Sequence, residues 1–135
     1  MAKNLRAEDS LQVLREQLAE FASERDWDRF HSPKNLSMAL IAEAAELVEH
    51  FQWLSEADSQ HLDADKRDEV ALELADILIF LVRTADKLDI DLLESARKKI
   101  AINETRYPVD KVKGSARRAS EYQASFTSRG ENSHE

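Results

Sequence analysis

Two glycines and two prolines in 135 residues leave this chain few places to turn. Loops draw on those two residues for special backbone angles, so most of the length must be regular structure joined by few connections. Ala, Leu, Glu, Lys and Arg are plentiful, and these are the strong helix formers. An all-α chain is therefore expected, and its length suits a single domain able to bury a core.

Helical periodicity divides the chain into four segments. The first runs from about Leu11 to Arg25, with Leu11, Leu14, Leu18 and Phe21 on one stripe. Asp9 is its candidate N-cap, with Gln12 at capping-box spacing. A short aromatic link, DWDRFHSP, follows. The second begins with Ser32 as N-cap and Pro33 at the first helical position, and runs to about Phe51 or Trp53. A polar connection, SEADSQHLDAD, leads to a third helix over about Lys66 to Lys87. Asp89 or Asp91 then caps a fourth, about Leu92 to Glu104, which Pro108 ends. Residues 1–113 read as one domain. From Gly114 the chain is polar, Ser-rich and without apolar periodicity, so a disordered tail over 114–135 is expected.

The composition excludes several kinds of function. No cysteine is present, so there is no disulfide framework and no thiolate-bound metal. A formal net charge of −8 repels nucleic-acid backbones. An anionic small substrate is compatible with that charge only where a cation mediates the contact. The opening MAKNLRAEDS has no apolar core of a signal peptide, and no apolar run approaches the roughly 18 residues of a membrane span. A soluble, cytoplasmic protein with no membrane or nucleic-acid partner is expected.

The second helix carries the first chemical signal. LSMALIAEAAELV, Leu36 to Val48, is apolar almost all the way round and holds only two charges, Glu43 and Glu46. At about 100° per residue, Leu36, Leu40, Glu43 and Leu47 share a narrow arc, with Glu46 at its edge. The third helix repeats the pattern. VALELADILIFLV, Val70 to Val82, is interrupted only by Glu73 and Asp76, and Glu69, Glu73, Asp76 and Phe80 form one stripe with Arg83 at its end.

A lone E-x-x-E on a helix is ordinarily a solvated face. Two acid pairs inside two apolar helices are different, because a buried carboxylate without a partner costs several kcal/mol or is forced to take a proton. Neither apolar run contains Lys or Arg. A divalent cation resolves the cost, and an all-oxygen donor set suits Mg²⁺, with Mn²⁺ as the other candidate. No His stands at ligand spacing within the pairs, which disfavours zinc and a Glu-x-x-His di-iron site. The competing reading is salt bridging from other helices, for example by Lys98, Lys99 or Arg106.

The E-A-A-E of Glu43 to Glu46 and the E-L-A-D of Glu73 to Asp76 resemble the E-x-x-E…E-x-x-D signature of the all-α NTP pyrophosphohydrolases, the MazG-like superfamily. Within it, the likeness is closest to the dCTP pyrophosphatases. RDWDRFHSPKNLSMALIAEAAELVEHFQW, Arg25 to Trp53, is similar to the hallmark stretch of that subfamily, and INETRYP, Ile102 to Pro108, to its closing motif. The resemblance spans about Leu11 to Pro108.

The resemblance implies a four-helix bundle completed by a partner subunit, as a dimer or a dimer of dimers. It implies Mg²⁺ held by Glu43, Glu46, Glu73 and Asp76. It also implies hydrolysis of a nucleoside triphosphate to the monophosphate and pyrophosphate, in clearing excess or modified nucleotides. Glu46 and Glu73 are the expected catalytic acids. Glu46 is preferred for activating water, since the edge of its arc reaches solvent. Base-binding positions carry over onto Trp27, His31 and Trp53, and phosphate or sugar contacts onto Lys99, Asn103 and Tyr107. Phe80 stands where the subfamily has a Tyr, so a hydroxyl contact is lost there. His50 is read as structural. Pyrimidine deoxynucleotides, dCTP and its modified forms first, are the expected substrates. A dUTP-directed or broad-specificity enzyme is the alternative within the class, and a non-catalytic metal-binding helical module the alternative outside it. Each carried-over residue also has a plain reading: Trp27 and Trp53 as caps on core ends, His31 as a turn residue, Lys99 and Arg106 as surface charges.

Overall fold

The structure is a computed structural model describing residues 10–117 and 120–121. Among these residues there is no strand, and four long helices and two short ones account for most of them. It divides into two compact units, residues 1–92 and 93–135. Asp9 and most of the expected tail lie outside the described residues.

In the first unit α1 spans Leu11–Glu24, a 3₁₀ turn spans Asp28–Phe30, and α2 spans Pro33–Glu49. The four-residue α3, Glu56–Ser59, interrupts the polar connection, and α4 covers Ala64–Lys87. Local chemistry sets each start. Ser10 caps α1 by accepting from the Val13 N–H, the position expected one residue earlier at Asp9. Ser32 accepts from the Asn35 N–H with Pro33 at the first helical position, as the sequence predicts. Asp63 accepts from the Lys66 N–H at 2.8 Å, so α4 begins two residues before its expected start. α2 ends at Glu49, short of Phe51 or Trp53, and the next residues fold back in tight turns onto Val48 and Phe51 carbonyls.

A glycine-poor chain must stop its helices by other means. α1 and α4 both end on an aspartate in the left-handed region, Asp26 and Asp89, each with φ 53°. Trp27 N–H reaches Ala22 O at 2.9 Å and Asp26 N–H reaches Ser23 O at 3.1 Å; Ile90 to Ala85 and Asp89 to Asp86 repeat the pattern. These are Schellman closures, in which Asp tolerates an angle that most side chains resist. Asp89 thus terminates α4 rather than starting the next helix.

α2 and α4 form the most extensive pairing of this unit, and α1 lies against α4. The core is small: Leu36 is 1 % exposed, and Ala22, Val70, Val82 and Ala85 are buried with it. The apolar surface that runs almost all round the second and third predicted helices, α2 and α4, is not covered within one chain. Ile41 is 66 % exposed and Leu72 69 %, and Met38, Val48, Leu74 and Leu81 are exposed beside them in the same two helices.

The second unit contains α5, Leu92–Arg106 (its first residue closes the first unit), and the short α6, Val109–Val112. Pro108 both ends α5 and caps α6, its carbonyl accepting from Lys111 and Val112. No helix of the described residues is long and apolar enough to cross a membrane.

Candidate metal centre and adjoining cavity

The pairing of α2 with α4 brings the two acid pairs together. Glu43, Glu73 and Asp76 each offer a carboxylate oxygen, and the three oxygens lie within 4.8 Å of one another. Glu46 stands outside this trio. It is exposed on α2 and within hydrogen-bonding reach of Glu43.

The site is electrostatically unsatisfied as it stands. Glu43 Oε2 and Glu73 Oε2 are fully buried and have no hydrogen-bond partner. Such atoms carry a desolvation cost of about 1–3 kcal/mol each, more for a charged group. Burial pushes the Glu43 carboxyl up to about 7, helped by Glu46, Asp76 and Glu73 in that order. The salt-bridge alternative finds no support from Arg or Lys among the described ion pairs. His50 alone approaches, with Nε2 3.6 Å from Glu73 Oε1 and Nδ1 3.8 Å from Glu69 Oε2. Three converging carboxylates with two orphaned oxygens fit a divalent cation: it neutralises the mutual repulsion and supplies the missing partner.

A cavity of about 290 Å³ opens on the flank of α4. Leu18 and Phe21 of α1, Trp27 and His31 around the 3₁₀ turn, and Phe80 and Arg83 of α4 are among its lining residues. The Schellman closure of α1 positions Trp27. Its ring meets Phe21 edge-on at 5.8 Å between centroids, the geometry aromatic quadrupoles favour. Asp76, Phe80 and Arg83 follow at helical spacing on α4, so the acids and the cavity share one face of that helix.

A charge cluster fixes the cavity wall. Arg83 is 3 % exposed. It donates to Asp28 at 3.0 Å and Asp86 at 3.1 Å, while Lys87 donates to Asp28 at 2.6 Å and Arg15 to Asp86 at 2.6 Å. Lys87 and Arg83 hold the Asp28 carboxyl below its usual range. His31 is held below its own, by burial first and then by Arg83 and Lys87.

Trp27 and His31, two of the three expected base-binding residues, therefore meet at one cavity, together with Phe80. Trp53 does not join them. It is 88 % exposed and follows the C-terminal end of α2, whereas His31 precedes the N-terminal end, about 25 Å of helix away. Lys99 and Asn103 lie one turn apart on α5, and Tyr107 N–H donates to Asn103 O at 2.8 Å just past its end. These three belong to the second unit and are described with it alone.

Two residues escaped the sequence reading. Arg83 was legible only as the end of a stripe, although an arginine one turn beyond Phe80 on an apolar helix is itself a signal of a buried partner. His50, read as structural, faces two carboxylates of α4.

A model of the MazG-like family matches residues 39–121. dCTP pyrophosphatase 1 of Rattus norvegicus is 43 % identical over 111 residues, covering 81 % of this chain and 65 % of that protein. The protein of the same name from Homo sapiens is 40 % identical over 116 residues, covering 84 % of this chain and 68 % of it. The chain thus spans about two thirds of the length of these relatives. Among solved structures, a pyrophosphatase from Archaeoglobus fulgidus superposes with a TM-score of 0.69 at 36 % identity, covering 73 % of this chain and 92 % of that one. Fold, acid pattern and sequence agree, and this chain belongs to the MazG-like family.

Proposed function

We propose that the protein is a Mg²⁺-dependent nucleoside triphosphate pyrophosphohydrolase. It converts a (d)NTP to the (d)NMP and pyrophosphate, with dCTP or a modified dCTP as substrate, and clears such nucleotides from the cytoplasmic pool. The observation that carries this reading is the acid trio, with its two buried oxygens lacking any donor. Relatives named dCTP pyrophosphatase 1 and a neighbour named as a pyrophosphatase support it.

Water attacks the α-phosphorus, the bond from that phosphorus to the bridging oxygen breaks, and pyrophosphate leaves with the electron pair. Glu43, Glu73 and Asp76, with Glu46 beside them, hold Mg²⁺ in this reading. When bound, the ion screens the phosphate charges and stabilises the charge that develops in the transition state. Glu46 is the solvent-reaching acid and takes the proton from the attacking water. Glu73 is set by its contact with His50. Trp27, His31 and Phe80, which line the cavity, are assigned to the base. Lys99, Asn103 and Tyr107 are assigned to phosphate and sugar by resemblance.

Homo-oligomerisation, as a dimer or tetramer, belongs to the same reading. It covers the exposed apolar residues of α2 and α4. The test of the reaction is pyrophosphate release from a panel of NTPs and dNTPs with Mg²⁺, comparing wild type with Glu73→Gln. Release favouring dCTP that disappears in the variant supports the proposal. No release from any nucleotide by a folded, metal-loaded protein overturns it.

A further inference from the structure

The polar side chains lining the α4 cavity are Trp27, His31 and Arg83. Arg83 Nε and one terminal nitrogen lie 3.4 and 3.3 Å from Nδ1 of His31. A guanidinium stays charged, carries five N–H groups and has no acceptor. Nδ1 therefore meets it with a lone pair, which places the imidazole proton on Nε2 and leaves the ring neutral. The surroundings agree. Burial, Arg83 and Lys87 all oppose protonation of His31, and Asp28 alone favours it. The Trp27 indole is a donor only.

The nearby acceptors are engaged. Asp28 accepts from Arg83 and Lys87, and Asp86 from Arg83 and Arg15. The remaining lining groups, among them Leu18, Phe21, Ile79 and Phe80, offer no polar side-chain atom.

We infer that Arg83 is a specificity-determining residue: it fixes His31 as an Nε2–H donor, so that the cavity wall favours a base edge whose ring nitrogen is an unprotonated acceptor. This rests on the cavity receiving the base of the substrate proposed above. Cytosine has such an edge, with an unprotonated N3 beside the O2 carbonyl. Uracil and thymine place an N3–H between their carbonyls and guanine an N1–H beside its own, whereas adenine N1 is unprotonated but has a C–H where cytosine has O2. A donor facing a donor leaves both without a partner, which is the costly case in a desolvated pocket.

Two measurements on the full-length protein test this. The first is long-range ¹H–¹⁵N NMR of His31 in the nucleotide-free protein at pH 7. Wild type is expected as the Nε2–H tautomer, and Arg83→Met as a mixture that protonates at higher pH. An Nδ1–H or imidazolium ring in wild type overturns the pairing. The second uses wild type alone, so it does not depend on the variant folding. A dCTP analogue with C–H in place of N3 is expected to lose roughly 10- to 100-fold in kcat/KM, chiefly through KM, as one lost hydrogen bond to a buried donor implies. Equal kcat/KM for dCTP and the analogue overturns the selection. Arg83→Met is expected to narrow the preference for dCTP over dUTP, and Arg83→Lys to restore part of it. If no nucleotide is hydrolysed, the pyrophosphohydrolase reading fails and base selection fails with it, whereas the NMR result still decides the Arg83–His31 pairing.

Discussion

His50 Nε2 lies 3.6 Å from Glu73 Oε1, a contact that joins the end of α2 to the acid trio. The ring is held between Glu73 and Glu69 on α4, so its position depends on the α2–α4 pairing and in turn restrains the Glu73 carboxylate. Groups that orient a metal ligand typically contribute 10- to 100-fold to metal affinity or activity. His50→Ala is therefore expected to weaken Mg²⁺ binding by about tenfold or more while leaving the helical content unchanged, as read by isothermal titration and circular dichroism. Unaltered Mg²⁺ affinity would show that the contact does not position Glu73.

The Glu43 carboxyl gives the metal-free protein a pH dependence of definite sign. Its folded value of about 7 lies above the ordinary 4.5, so the folded state binds the extra proton between those limits. That contribution to stability is complete below about 4.5 and gone above about 7. In EDTA, the melting temperature of wild type relative to Glu43→Gln is expected to fall as pH rises across this window. Adding Mg²⁺ at pH 8 should recover the difference, and a parallel pair of melting curves from pH 4 to 8 would count against the assignment.

Asp26 holds a left-handed angle that glycine adopts without cost. Its ion pair with Arg29, at 3.2 Å, is exposed on both sides and worth little. Asp26→Gly is expected to stabilise the protein by up to about 1 kcal/mol, and Asp26→Val to destabilise it by more, in chemical denaturation. The position of Trp27 depends on the same closure, so the valine variant should also change its fluorescence.

Ile41 and Leu72 are large apolar side chains mostly exposed in the single chain. A charge placed there costs an isolated subunit little, but it is expensive at a buried interface. Ile41→Glu and Leu72→Glu are expected to convert an oligomer to a monomer in analytical ultracentrifugation. A wild-type protein that sediments as a monomer at all concentrations would remove the need for a partner subunit.

What the sequence discloses is what local chemistry decides. Ser32 and Pro33 announce α2 because capping involves only the next three residues, and the acids stand out because their neighbours on both helices are apolar. A helical wheel reports the face of a residue but not its end of the helix; it never grouped Trp53 with His31, which the resemblance alone put together and which the length of α2 separates. Asp89 looked like the start of a helix because aspartate suits both an N-cap and a left-handed closure. Arg83 takes its meaning from Asp28, 55 residues away, and no periodicity in α4 points to that turn. The exposed apolar residues mark the same boundary: a pattern can demand burial without saying whether the same chain supplies the cover.

Asp76, Phe80 and Arg83 occupy successive turns of one continuous helix, which makes α4 a ruler. At about 1.5 Å per residue, the rise from Asp76 to Arg83 is about 10 Å, and it cannot be altered piecemeal. A single inserted residue between Asp76 and Phe80 would swing the cavity residues about 100° away from the acids. Substitutions in α1 or in the turn around Asp28, by contrast, reshape the cavity without disturbing that spacing. Such a chain can diversify what it recognises through its first thirty or so residues, while α2 and α4 inherit the acid chemistry unchanged.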